Sequence, residues 1–193
     1  MELPQIGARK QRSDAAENRE RILAAARGLL AADGVAGLTM DAVAAEAGVG
    51  KGTVFRRFGT RAGLTHALLD DYMRTFQDAV ISGPPPLGPG AAAGERLEAF
   101  CLRLIETQQG HMELALAAEP MAGGPSPGAY SFLLLHVQRL VAELNPAADA
   151  RVLAHMILGC LAPPVLQQLR ANPEIDQRGL EAGIITLLRG ITG

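Results

Sequence analysis

The chain has 193 residues, 48% of them hydrophobic and 20% charged, which is apolar material enough for a core and excludes a chain disordered throughout. Its formal charge of −2 is unevenly divided: residues 1–61 hold ten Lys or Arg against seven Asp or Glu, and residues 62–193 hold eight against thirteen. A basic head on an acidic body suggests two jobs, with an anionic partner for the N-terminal part.

Residues 1–13 read as a flexible arm. The run GARKQR gives it three cations, suited to a phosphate backbone and equally to a solubilising tail. There is no apolar centre of a secretory signal in it. The first helix is expected to open on a capping box, Asp14 with Glu17, and to bury a stripe of Ile22, Leu23, Ala26, Leu29 and Leu30. Asp33–Gly34 should stop it, glycine being free to take the left-handed conformation. A second helix starts at Thr39, whose hydroxyl can accept from free backbone N–H groups, and Asp41 suits the positive end of the dipole. Met40, Val43 and Ala44 face inward, and Gly48 ends the helix.

The turn GVG, residues 48–50, precedes a two-turn helix from Lys51 to Phe58 in which Val54 and Phe58 share a face. Thr60 can cap a long fourth helix whose Leu64, Leu68, Leu69, Tyr72, Phe76 and Val80 keep helical spacing through residue 81. SGPPPLGPGAAAG, residues 82–94, is a linker by composition. Further helices are expected near 94–109, 111–121, 128–145, 148–170 and 176–191, with breaks at Asn145–Pro146 and Asn172–Pro173. No strand pattern or internal repeat stands out, so the fold class is all-α with about nine helices.

The span from Thr39 to Phe58 has the length of a helix-turn-helix. In that motif the second helix enters the major groove and its N-terminal residues approach base edges and phosphates. Gly50 and Gly52 remove side chains where backbone must come close. Lys51 and Thr53 can donate to phosphate oxygens, and Arg56, Arg57 and Arg61 add cations. Phe55 offers an apolar face to a thymine methyl or a sugar.

These residues, AADGVAGLTMDAVAAEAGVGKGTVFRRFGTRAGL, resemble the TetR-type transcriptional repressors in an ordered match across residues 17 to 69. The resemblance implies an N-terminal DNA-binding domain, here residues 14–61, and a helical ligand-binding and dimerisation domain, residues 62–193. It implies backbone contacts from Thr39, Lys51, Thr53, Phe55, Arg57 and Arg61, and places Gly52 and Arg56 near base edges. Phe55 stands where the family usually has Tyr, Arg57 where His or Tyr is common, and Gly63 where the capping-box glutamate of the fourth helix is expected. Repression is the family's usual mode, with activation left open. The partners implied are a double-stranded inverted-repeat operator, a small apolar effector and a second copy of the chain.

The C-terminal segments 148–170 and 176–191 are apolar on more than one side, so a second face must be buried, most simply against a twin subunit. Pro163–Pro164 should kink or break the first of them. Phe100, Leu104, Met112, Leu116, Met121, Tyr130, Phe132, His136 and Cys160 are candidates to line a ligand cavity or, as plainly, to fill a core. Cys101 and Cys160 lack redox or zinc spacing and are expected as reduced core residues of a cytoplasmic protein. His66, His111, His136 and His155 show no metal spacing; His136 and His155 are expected as satisfied core or surface groups, and no metal or cofactor is expected. The longest mostly apolar stretch, VLAHMILGCLAPPVLQQL, is interrupted by His155 and the proline pair, short of a membrane span. Nucleophile elbow, phosphate loop and dinucleotide fingerprint are missing, so no enzyme and no catalytic residue is expected. A helical protein–protein adaptor is the alternative; it explains the apolar C-terminal helices but not GKGTVFRR.

Overall fold

The computed structural model describes residues 6–118 and 127–192, and the side chains of 14–118 and 130–191 within them. Among these residues all regular structure is helical. Ten helices follow in order: α1 (Ile6–Gly37), α2 (Met40–Glu46), α3 (Lys51–Phe58), α4 (Arg61–Ser82), α5 (Ala93–Gly110), α6 (Met112–Ala117), α7 (Pro127–Leu144), α8 (Ala150–Cys160), α9 (Pro163–Ala171) and α10 (Gln177–Thr192).

Two differences from the sequence reading have simple causes. Helix α1 begins at Ile6, so the expected arm over 1–13 is helical from residue 6 and Asp14 lies inside the helix rather than at its cap. The run of Ala, Arg, Lys, Gln and Glu is made of good helix formers, and it outweighs the cap signal. The expected single helix over 148–170 is two helices, α8 and α9, bent by 47°. Ala162 before the prolines is extended (φ −65°, ψ 143°), and the prolines open α9, where their missing N–H costs nothing. That break raises the count from nine to ten. No single described helix is long and apolar enough to cross a membrane.

The chain divides into two compact units, Met1–Leu68 and Leu69–Gly193. The division falls within α4, not at its start: Leu64, Ala67 and Leu68, in its first two turns, are buried but lie outside the core cluster of the second unit. In the first unit α1 packs on α2 and α2 on α3, over a core of Ile22, Leu23, Ala26, Leu38, Met40, Val43 and Val54. Gly34 takes φ +65° and ends the regular part of α1 as its sequence suggests. In the second unit α5 packs on α7 and α10, and α7 on α8. Its core joins Phe76 and Val80 of α4, Phe100, Leu104 and Ile105 of α5, Val137 and Leu140 of α7, Ile157 of α8, and Leu188 of α10. Each large side chain so buried contributes roughly 1.5–3 kcal/mol.

Candidate nucleic-acid interface

The pair α2–α3 is built from its caps inward. Thr39 is extended, and its Oγ1 accepts from the Ala42 N–H at 3.2 Å, which satisfies a backbone donor at the start of α2. At the other end the Val49 N–H donates to the Ala44 carbonyl at 3.0 Å, and Gly48 takes φ +62°. This left-handed turn re-aims the chain into α3. Arg21 of α1 donates to the Ala47 carbonyl at 3.1 Å and ties the turn to the first helix.

Helix α3 then has two faces. Val54 is fully buried and Phe58 half-buried, with the Arg19 guanidinium 5.9 Å from the Phe58 ring centroid. Lys51, Gly52, Phe55, Arg56 and Arg57 are exposed. A Cβ added at Gly50 or Gly52 would meet nothing within 4 Å, so the backbone at the start of α3 is open. Gly50 caps α3 without a side chain. Lys51 stands at the start of α3 and Arg56 and Arg57 in its last turn, so the exposed face carries cations at both ends, an arrangement that favours an anion.

Each expected residue on this unit has a definite place. Thr39 is exposed and Thr53 half-buried, and Arg56 donates to Thr53 Oγ1 at 3.4 Å. Lys51 Nζ donates to Asp41 Oδ2 at 2.8 Å and lies 5.8 Å from the Phe55 ring centroid. Asp41 thus holds the lysine as well as serving the dipole of α2. Arg61 donates to the Val35 carbonyl at 2.6 Å, so part of its guanidinium braces the turn between α1 and α2. The Arg21, Asp41 and Arg61 contacts join residues 26, 10 and 26 positions apart, beyond any local pattern. Thr60 Oγ1 accepts from the Gly63 N–H at 3.1 Å and caps α4 as expected. The glycine at 63 also has its reason: any Cβ there would collide with the Phe58 carbonyl, so the glutamate of the related pattern has no room.

The candidates on the second unit have mixed surroundings among the described residues. Two openings of about 230 Å³ are found there, one between α9 and α10 at Arg170, Asp176 and Leu180 and one between α4 and α5 at Tyr72, Phe76, Arg103 and His111. None of the nine expected residues lines either. Phe100 and Leu104 are core, and Met112 and Phe132 are partly buried against it. Leu116, Tyr130 and Cys160 are exposed, and Met121 lies outside the described residues. The reading of both cysteines as core is corrected. Cys101 is buried and its thiol is pushed up to about 12 by burial, whereas Cys160 falls on the outer side of α8's last turn. His155 is satisfied, bonded through Nδ1 to the Tyr130 hydroxyl at 2.9 Å. His136 is not: its Nε2 is buried without a partner, against the expectation of a satisfied ring.

A helix-turn-helix with an open, cationic second helix, followed by a larger helical unit, defines the class of a DNA-binding regulator. Comparison narrows the class. Residues 22–68 match the model of the bacterial regulatory proteins of the tetR family. The HTH-type transcriptional regulator SAB2452 of Staphylococcus aureus is 37% identical over 65 residues, which span about a third of each chain (34% of this one and 35% of that one). A TetR-family transcriptional regulator of Pectobacterium atrosepticum shares the fold over 93% of this chain and 94% of its own, with a TM-score of 0.71 at 23% identity. The multidrug binding protein EbrR, complexed with imidazole, does so over 92% and 90%, with a TM-score of 0.59 at 26% identity. Residues 22–68 thus carry the DNA-binding domain of the tetR family, and the chain as a whole shares the fold of TetR-family transcriptional regulators.

Proposed function

We propose that the protein is a cytoplasmic repressor that binds an inverted-repeat operator as a homodimer and is released from it by a small molecule held in the second unit. The observation that carries the DNA reading is the exposed face of α3, with Lys51 and open backbone around Gly52 at its start and Arg56 and Arg57 in its last turn. Lys51, Thr53, Phe55, Arg57 and Arg61 hold the phosphate backbone with Thr39, and Gly52 and Arg56 meet base edges. Binding requires Lys51 to leave Asp41 for a phosphate, an exchange of one exposed ion pair for another.

One recognition helix covers only a few base pairs, so tight binding needs two, set about one helical turn (~34–36 Å) apart. The second copy is supported by apolar groups left outward on the C-terminal helices: Val152 and Met156 of α8 and Leu187 of α10. Helix α4 runs from the first unit into the second without a break, so a ligand that alters its course reaches the DNA-binding helices. EbrR, described as a multidrug binding protein, supports a small-molecule effector by analogy of fold.

Selection of bound DNA from a random pool tests the reading. Recovery of inverted repeats, bound by a species of twice the monomer mass with affinity that falls steeply with salt, is expected. Equal binding of non-palindromic sites by a monomer at micromolar concentration would sink it.

A further inference from the structure

Among the described residues of the first unit, Phe55 is the one large apolar side chain left exposed, with 41% of its surface open. A lone apolar group is ordinary on a protein surface; its place marks this one. Phe55 follows Gly52 by three residues on α3 and so shares a side of the helix with it. A Cβ added at Gly52 would meet nothing within 4 Å, so the helix surface at that turn is open. Side chains of a helix lean toward its N-terminus. The Lys51 ammonium, 5.8 Å from the Phe55 ring centroid, shows the ring turned that way and adds a cation–π attraction that steadies it there.

Among the residues set against the phosphate backbone, Phe55 alone has no side-chain hydrogen-bond donor. The hydroxyl that a tyrosine would bring to a phosphate oxygen is missing, and what remains is a phenyl ring that gains by leaving water. The apolar groups that a duplex offers are its sugars and the thymine methyl. The start of a recognition helix approaches base edges in the major groove, and there the methyl is the apolar group on the floor.

We propose that Phe55 selects thymine: in each half-site its ring packs on the 5-methyl group of one thymine and takes no part in holding phosphate. The proposal rests on the DNA reading above and names one base which that reading leaves unspecified.

The test uses the full chain. Bound duplexes are selected from a random pool, and each thymine of the recovered operator is then replaced in turn by uracil, which pairs as thymine does and lacks only the methyl. One position in each half-site should lose about fourfold in affinity, the worth of one buried methyl, and replacing both should lose about 16-fold. In Phe55→Ala, thymine and uracil should bind alike at that position, with every other position read as before. Phe55→Leu keeps an apolar side chain and should retain part of the preference. A uracil penalty at no position, or one that survives Phe55→Ala, overturns the proposal. So does a loss in Phe55→Ala that is equal for thymine and uracil operators, which would seat the ring on a sugar. An operator recovered without thymine in its half-sites sinks this inference and leaves the DNA reading standing. A pool from which no sequence is enriched sinks both.

Discussion

The two units place their polar chemistry in opposite ways. In the first, nearly every feature of the candidate interface is local and outward: a capping threonine, a left-handed glycine, a two-turn helix with one buried valine and a row of exposed cations. In the second, polar chemistry lies inward, where Arg96 Nε of α5 and His136 Nε2 of α7 are buried without a partner. The difference teaches where constraint comes from. A DNA duplex offers one geometry to every protein that reads it, so the elements that meet it are held to fixed spacings. A ligand-binding body has only to bury its apolar faces, and many sequences do so.

Breaking the core of the second unit should have the largest effect. Phe100 is fully buried and packs edge-on to Phe76 at 5.2 Å. Phe100→Ala should cost about 3–5 kcal/mol in urea unfolding, without altering which bases the recognition helix prefers. A change in base preference measured on the still-folded fraction would show the two units to be coupled in function.

Within the first unit, two neighbouring cations should separate by role. Arg56→Ala should relax preference at one base position by roughly 1–3 kcal/mol, while Lys51→Ala should weaken all sequences alike and flatten the salt dependence by about one unit. Uniform loss from both, on matched and mutated operators, would make Arg56 a phosphate contact.

Thr39→Ala tests the cap itself. It removes the bond to the Ala42 N–H and should destabilise the fold by about 1 kcal/mol. Thr39→Asp, which caps as well, should restore stability but repel phosphate. A variant as stable as the parent in thermal melting would deny the cap any share.

The smallest effect expected is the pH response of His136, a partly exposed group facing Arg96 from α5 and Arg139 on its own helix. Its pKa is lowered from 6.5 to about 4 on folding, by burial first and then by the two guanidiniums. Above 6.5 the ring is neutral folded and unfolded. As the pH falls from 6.5 to 4 the unfolded chain takes up a proton that the folded chain refuses, so stability declines across that window and levels off below it. His136→Gln should shrink the loss in melting temperature between pH 7 and pH 5; an unchanged loss would place the titration elsewhere.

The sequence by itself determined the all-helical class, the helix-turn-helix and the breaks around it. Caps at Thr39 and Thr60, the left-handed Gly34 and Gly48, and the inward pair Val54 and Phe58 are local consequences of residue type and spacing. The proline pair announced the break at Ala162, although not that it would make two helices bent by 47°. Only the tertiary structure decided which polar groups meet. Arg61 bracing Val35 and Arg21 holding Ala47 each span 26 residues, and no local pattern records such pairs. The same holds for the second unit, where helical spacing marks an apolar face but not its neighbour. Cys160 is exposed and Phe100 fully buried because of what packs on α8 and α5, and His136 stacks on Phe100 only once α5 and α7 are in place. Caps and turns are settled by bonds within a few residues, whereas burial and charge pairing depend on surfaces contributed by distant parts of the chain.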